Sequence, residues 1–279
     1  MYESVYESVY ESASRRQIGD AQLSADLPAH TVKSASRTLE IIDFVSENGS
    51  ATFAEILDEL ELPRSSGHGL LQTLLASGWL ELHPDTRRFT LGLHTWQTGQ
   101  RYDGHRLLTE KAKPVMHALS KTTGETVQLA RLDGVENVYI AISPSANPMR
   151  LASTVGMRLH AHATGIGKAL LSTIDPNEAQ QRLRQIVLPR LTAKTVTDVD
   201  ELMRLIEKAR FTGFAIDDEE FIEGCRCIAV PVTEERDTGI SSAISITMPT
   251  SRTDAAWPHS LYAPLSHAVR EIRDAMGLE

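Results

Sequence analysis

Three short helical patterns followed by two short strands lie between residues 34 and 91, and few folds accommodate this order. In the first pattern, apolar residues recur three or four positions apart from Ala35 to Val45, and Gly49 supplies a stop. The second pattern opens with Thr52 and has Glu55 three residues later, the spacing of a capping box. Two short helices joined this closely indicate a helix-turn-helix.

A third helical pattern follows Pro63, a residue that the first turn of a helix tolerates. Its apolar stripe consists of Leu70, Leu71, Leu74 and Leu75. Residues 79–82 and 88–91 then have the composition of two strands that flank a turn rich in breaker residues. Three helices and a hairpin in this order predict a winged helix-turn-helix over residues 30–93.

The face of the third helix opposite its leucines is polar, as a helix that reads base edges requires. Short hydroxyls, a glutamine and arginines suit hydrogen bonds to bases and phosphates. The candidate DNA contacts, with those on the first helix and the hairpin included, are Lys33, Arg37, Arg64, Ser65, Ser66, His68, Gln72, Thr73, Arg87 and Arg88. A solvated helix face would look similar on its own, but the surrounding helices and hairpin favour DNA.

The net charge of −9 is unusual for a chain that binds DNA, because affinity comes largely from neutralised phosphates. Acidic residues also outnumber basic ones between His30 and Thr95. A winged helix in this segment would use a few well-placed cations. The alternative is a sensor or interaction protein whose winged helix binds another protein, and salt-dependent duplex binding distinguishes the two.

The rest of the chain divides into further segments. Residues 1–29 are predicted to be a disordered tail, residues 94–106 a linker helix, and residues 107–279 a sensing and oligomerisation domain. The strands predicted in this domain are 126–132, 137–142, 150–154, 214–216, 227–232 and 240–248. The predicted helices are 107–123, 163–172, 177–186, 199–211 and 260–276. Paired strands, a helical insert, paired strands and a closing helix predict an α+β domain.

Several blocks of this sequence resemble one known family. The blocks are 34–42, 62–66, 70–74 and 78–80 in the first domain, and 156–171 and 213–232 in the second. Together they span about Lys33 to the C-terminus, and they are similar to the isocitrate lyase regulator (IclR) family. The resemblance implies a homodimer or homotetramer that binds double-stranded DNA at a palindromic operator. It also implies a GAF-like C-terminal domain that binds a small effector, such as an organic, aromatic or sugar acid.

The resemblance further implies an effector pocket in the C-terminal domain. Its residues would be Met157, Gly165, Ile166, Asp217 or Asp218, Glu220, Cys227, Ser245 and Thr247. Exposed N–H groups where a helix begins favour an anion, and alternation along a strand places Ser245 and Thr247 on one side. The chain departs from the family where it has His160, Cys225 and the bulky Ile166, which argues for a different or smaller pocket.

Other chemistries are less well supported by the sequence. His160, His162, Cys225 and Cys227 form two pairs that could bind zinc if they met, but no spacing shows that they meet. The Gly-rich segment 165–168 lacks the Walker residues, and neither a nucleophile elbow nor a catalytic cysteine motif is present. We therefore expect no metal, no cofactor and no enzymatic activity. With neither a signal peptide nor a membrane-spanning run, a cytoplasmic protein is expected.

Overall fold

The computed structural model describes residues 32–278. The predicted tail, residues 1–29, lies outside the described residues. The chain forms two compact units, and the boundary between them in the sequence falls between Asp103 and Gly104. In the described part of the chain, no helix has the length and apolar character needed to cross a membrane.

The N-terminal unit combines short helices with a small sheet. Its helices are α1 (Lys33–Asn48), α2 (Phe53–Glu59), α3 (Arg64–Ala76) and α4 (Leu93–Gly99). Its strands are β1 (Ala51–Thr52), β2 (Leu80–Leu82) and β3 (Arg88–Leu91), which pair antiparallel in the order β1-β3-β2. Three helices followed by the β2–β3 hairpin confirm the predicted winged helix-turn-helix.

Local sequence sets where these helices begin and end. Gly49 ends α1 with a φ of +67°, a conformation that costs little without a Cβ atom. The predicted capping box is present at α2, where the Glu55 N–H donates to Thr52 Oγ1 at 3.3 Å. In return, the Thr52 N–H donates to Glu55 Oε2 at 2.7 Å. The order of breakers and caps along the chain therefore produces the observed helices.

Helix α3 continues without a break through its two glycines, Gly67 and Gly69. A Cβ atom at Gly67 would lie 2.7 Å from Leu57 Cδ1, whereas one at Gly69 would meet nothing within 4 Å. Gly67 therefore allows α3 to pack closely on α2, where Ile56, Leu71 and other apolar residues form the core. This packing leaves the polar face of α3 exposed.

The C-terminal unit is built on a six-stranded antiparallel sheet in the order β6-β5-β4-β9-β8-β7. The strands are β4 (Thr126–Asp133), β5 (Glu136–Ser143), β6 (Arg158–His160), β7 (Ala215–Asp218), β8 (Cys225–Thr233) and β9 (Ser242–Pro249). The helices are α5 (Arg106–Thr123), α6 (Gly165–Leu171), α7 (Pro176–Arg184), α8 (Val199–Thr212), α9 (Glu235–Thr238) and α10 (His259–Met276). This arrangement confirms the predicted α+β class.

Alternation along the strands gives the sheet two buried faces. Ile244 and Ile246 of β9 pack in one core with residues of α5 and α10. Ala243 of the same strand packs in the other core with residues of α6, α7 and α8. Ser245 and Thr247 share the side of Ala243, so the predicted polar pair lies beneath α6.

Two predicted elements differ from the structure. Residues 150–154 do not form the expected strand; the third strand is β6, where Val138 of β5 pairs with Arg158. Ion pairs from the Arg158 guanidinium to Glu136 Oε2 at 2.7 Å and Asp133 Oδ2 at 2.6 Å reinforce this pairing. The predicted linker helix, 94–106, is also shorter, because α4 ends at Gly99 and the next helix begins at Arg106.

Candidate functional site

The exposed face of α3 carries the predicted DNA contacts. Arg64, Ser65, Ser66, His68, Gln72 and Thr73 are all exposed. The Arg64 guanidinium lies 6.0 Å from the centroid of the Phe53 ring, which orients it at the first turn. Thr73 Oγ1 donates to the Gly69 carbonyl oxygen at 2.9 Å, so this hydroxyl is engaged with its own helix. Arg64, His68 and Gln72 are spaced four residues apart, so they form a polar row along one face of the helix.

Two further predicted contacts lie on α1, outside α3. Lys33 is exposed at the start of that helix, and Arg37 is half-buried one turn later. Both are on a helix that packs against α3 through the apolar core that includes Ile41. Lys33 and Arg37 therefore belong to a different helix from the α3 row but to the same unit.

The two arginines of the wing have different surroundings. Arg87 is exposed at the turn of the hairpin, with a φ of +55°, and its N–H donates to the His83 carbonyl oxygen at 3.0 Å. The Arg88 guanidinium instead donates to the Ser50 carbonyl oxygen and to Glu55 Oε2, each at 2.9 Å. Arg88 thus joins β3 to the capping box of α2, a role that the sequence did not predict.

The capping glutamate is held in its charged form by this arrangement. Its pKa is lowered first by the hydrogen bond from the Thr52 N–H and then by Arg88. An ionised Glu55 strengthens both contacts, because hydrogen bonds to charged groups are stronger than neutral ones. The carboxylate of Glu55 therefore links the wing strand β3 to the start of helix α2.

In the C-terminal unit, strand pairing brings several predicted effector residues into one row. Thr247 pairs with Cys227, and Cys227 pairs with Asp217. Paired residues on neighbouring strands face the same side of a sheet. Ser245 lies two residues before Thr247 and joins them on the side of α6. We call Gly165, Ile166, Asp217, Cys227, Ser245 and Thr247 the effector cluster.

The cluster is tightly packed around the Cys227 sulfur. The Ser245 and Thr247 side chains and the Ile166 backbone N–H lie around this sulfur, and their polar contacts act to lower the pKa of the thiol. A Cβ atom at Gly165 would lie 3.2 Å from Cys227 Sγ and 3.0 Å from the Asp217 backbone nitrogen. Burial raises the pKa of Cys227 to about 12, with the nearby Asp217 adding to the effect. The thiol is therefore neutral and serves as packing with weak donor capacity.

A buried ion pair lies next to the cluster. Lys168 Nζ of α6 lies 2.5 Å from Glu220 Oε1, and both residues are almost fully buried. Asp217 Oδ1 accepts hydrogen bonds from the Glu220 and Phe221 N–H groups at 2.7 and 3.3 Å. Burial raises the pKa of Asp217 to about 7, although the charge of Lys168 acts in the opposite direction. Asp217 therefore changes charge near neutral pH.

Three other predicted effector residues are placed differently. Asp218 alternates to the other side of β7, where Oδ1 accepts from Arg226 Nε at 2.6 Å, so it does not join the cluster. Met157 is half-buried against the apolar core on the α6 side. Glu220 contacts the cluster through Lys168 and through its own N–H group.

The zinc alternative has no geometric support. In residues 32–278, no three His, Cys, Asp or Glu side chains converge as metal ligands would. His160 and His162 have ring centroids 5.6 Å apart, and His162 Nε2 lies 3.0 Å from the Pro189 carbonyl oxygen. Burial lowers the pKa of His162 to about 4, so this imidazole is neutral. Cys225 and Cys227 are both buried free thiols on β8.

The sequence did not single out two buried polar residues beside the cluster, Lys168 and Gln128. Lys168 is only 2% exposed and Gln128 is fully buried. Both stand within segments that otherwise read as apolar, and a polar residue in such a segment is the signal that could have identified them.

A large cleft lies elsewhere in this unit. Its volume is about 510 Å³, and Glu125, Arg252 and Trp257 help to line it. It also includes Met248, which alternates to the side of the sheet opposite Thr247. None of the effector cluster lines it, so the cleft and the cluster are separate features.

Comparison with known proteins agrees with both units. Residues 34–84 match the family model described as the IclR helix-turn-helix domain, and residues 100–274 match the one described as bacterial transcriptional regulator IclR C-terminal. The HTH-type transcriptional regulator BhcR of Paracoccus denitrificans is 31% identical over 88% of each chain. XynR of Escherichia coli, another HTH-type regulator, is 31% identical over 88% of this chain and 98% of its own.

A solved structure with bound ligand is also similar. It is an IclR homologue from Microbacterium hydrocarbonoxydans complexed with 4-hydroxybenzoate, with a TM-score of 0.75 and 25% identity. The match covers 88% of this chain and 99% of that one. Both family models, in the expected order and over most of the described residues, show that this chain belongs to the IclR family of transcriptional regulators.

Proposed function

We propose that this regulator binds a palindromic operator as a homodimer or homotetramer and responds to a small organic, aromatic or sugar acid. The observation that carries the proposal is the exposed polar row of α3, in a unit whose wing carries the exposed Arg87. A helix with this face fits the major groove, and a wing cation reaches phosphates or the minor groove. The protein would act in the cytoplasm, where the bacterial chromosome lies, and would not catalyse a reaction.

The effector is proposed to bind at the effector cluster, with Asp217 rather than Asp218 as the acidic member. Support comes from the packing of Gly165, Cys227 and Asp217 against one another, and from a relative whose structure holds 4-hydroxybenzoate. A ligand that prefers one conformation of the sensing unit changes DNA affinity by its differential affinity for the two states. In this proposal, the effector acts by shifting the populations of the two conformations of the sensing unit.

The first test is selection of duplexes from a random DNA pool at low and physiological salt. A regulator enriches a palindromic site, and its affinity falls with salt because phosphate contacts release counterions. The alternative, a winged helix that binds protein, predicts neither enrichment nor this salt dependence. Repeating the selection with pooled organic and aromatic acids covers a regulator that needs its effector for binding.

Arg64→Ala is the matched variant for this selection. Loss of an arginine contact to a base costs about 1–3 kcal/mol and relaxes specificity at that position. Arg184→Ala serves as the control, because it removes an exposed arginine from the C-terminal unit. Unchanged site affinity for Arg64→Ala at physiological salt would contradict the placement of α3 on DNA.

A further inference from the structure

The side-chain amide of Gln128 is buried at the centre of the six-stranded sheet. Gln128 is 0% exposed and lies on β4, where its residue partner on β9 is Ser245. Because paired residues share a face, the Gln128 side chain lies on the α6 side with the effector cluster. Its neighbours on β4, Val127 and Leu129, pack in the opposite core. The long polar side chain of Gln128 thus lies on the sheet surface beside the effector cluster.

The two ends of this amide have different surroundings. Gln128 Oε1 accepts hydrogen bonds from Ser245 Oγ at 3.1 Å and from Thr247 Oγ1 at 3.0 Å. Gln128 Nε2 is buried and has no hydrogen-bond partner among residues 32–278. Buried amide donors are nearly always paired, because leaving one unpaired costs free energy. An unpaired donor in a functional cluster therefore points to a partner supplied by a ligand.

We infer that Gln128 determines effector specificity by donating its Nε2–H group to an oxygen of the effector carboxylate. This inference rests on the proposed function, since it assigns a further contact within the effector cluster. The Ser245 and Thr247 hydroxyls hold the amide oxygen and so set the direction in which the donor points. Gln128 would therefore distinguish ligands by whether they place an acceptor oxygen at this position.

The chemistry of the surrounding groups favours an acceptor ligand. Gln128 Nε2 remains available to a ligand, because the Ser245 and Thr247 hydroxyls already donate to Gln128 Oε1. The buried Lys168 ammonium lies beside the cluster, where it is paired with Glu220 Oε1. A carboxylate oxygen accepts a hydrogen bond from Gln128 Nε2 more strongly than the neutral oxygen of a primary amide does, and an amine presents N–H donors instead of an acceptor of this kind.

The packing also limits the size of the ligand. A Cβ atom at Gly165 would lie only 3.0 Å from the Asp217 backbone nitrogen and 3.2 Å from Cys227 Sγ, so the packing is tight there. Ile166 is 1% exposed and occupies further volume above the sheet. A compact acid fits this space better than an extended one, so two- to four-carbon acids are included among the probes with the aromatic acid of the solved relative.

The test compares acids with their primary amides on the full chain. The probe pairs are 4-hydroxybenzoate with 4-hydroxybenzamide and pyruvate with pyruvamide, titrated calorimetrically. Gln128→Glu is the informative variant, because it replaces the amide donor with oxygen at nearly the same shape. Gln128→Met is a second variant without buried charge, and circular dichroism with a melting curve verifies that each variant folds.

Ser242→Ala is the matched control. Ser242 is also fully buried on β9, but it alternates to the other face of the sheet, where its hydroxyl contacts Thr233 Oγ1 at 2.7 Å. The Ser242→Ala substitution removes one buried hydroxyl group from the same strand and leaves the residues of the effector cluster unchanged. We expect Ser242→Ala to bind each probe as the wild type does.

The wild type is expected to prefer an acid over its amide, and both Gln128 variants should lose at least tenfold in affinity for that acid. Gln128→Glu should also narrow or reverse the preference, a result that loss of packing alone does not produce. Full acid preference in both folded variants overturns the role of Gln128 and leaves the effector proposal standing. A wild type that binds amides more tightly than acids, or binds no acid, rejects the proposed effector class together with this inference.

Discussion

Arg87 and Arg88 are adjacent, but their surroundings assign them different tasks. Arg87 is exposed at the wing, whereas Arg88 bridges Ser50 and the capping residue Glu55. Sequence alone treats two neighbouring arginines in a turn as equivalent cations. Only the pairing of β1 with β3, which places Thr52 opposite Arg88, distinguishes them.

We expect Arg87→Ala to weaken duplex binding without changing the melting temperature, because it removes the proposed phosphate contact from an exposed site. Arg88→Ala should lower the melting temperature, because it breaks the bridge between β3 and α2. Melting curves and salt-dependent duplex titrations separate the two effects, and the slope against salt should fall by about one for Arg87→Ala. Equal melting temperatures for both variants would contradict the role given to Arg88.

We expect Asp217 to make binding of the proposed effector depend on pH. Its raised pKa, about 7, means that it is neutral below this pH and charged above it. A carboxylate ligand is repelled by the charged form, so its affinity should be constant below pH 7 and fall up to tenfold per unit above it. Cys227 stays neutral over this range because its pKa is about 12.

Calorimetry of an acid ligand between pH 6 and 9 measures this dependence. Buffers with different heats of ionisation report the proton taken up on binding. Asp217→Asn keeps an oxygen acceptor for the Glu220 and Phe221 N–H groups and removes the titration, so its profile should be flat. A flat profile in the wild type would show that Asp217 does not face the ligand.

At the scale of the element, helix α3 contains two glycines with opposite surroundings. Gly69→Ala should raise the free energy of unfolding by about 0.5–1 kcal/mol, because alanine favours helix and the site is open. Gly67→Ala should lower it, since the new Cβ atom would lie 2.7 Å from Leu57 Cδ1. Urea unfolding of the two variants gives the sign of each change. The same sign for both would contradict the close packing of α3 on α2.

Elements with a strong local signal could be predicted from the sequence. The Thr52–Glu55 capping box and the alternation of Ser245 and Thr247 depend on neighbouring residues, and both are present. Strand β6 could not be predicted, because its three residues owe their conformation to pairing with β5 and to the ion pairs of Arg158. Nor could the sequence show which of Asp217 and Asp218 lies on the side of β7 that faces α6, because this depends on the pairing of β7 with β8.

At the scale of the molecule, the two units should be separable. Residues 104–279 contain the whole six-stranded sheet and both of its cores. We expect this fragment to unfold cooperatively and to bind the same acid as the full chain within about twofold, while losing duplex binding. Calorimetric titration and a melting curve of the fragment test this. A fragment that melts without cooperativity would show that the sensing unit depends on the first 103 residues.

Residues of the effector cluster are buried, and Asp217, Cys227 and Ser245 are each less than 10% exposed. An effector that binds there as proposed would enter or leave only while the covering segments are open, and its rate of entry would be the diffusional rate multiplied by the open fraction. A bound molecule would wait for the next opening before it dissociates. We then expect the regulator to average the effector concentration over the opening time, so that its response carries a short memory of recent supply.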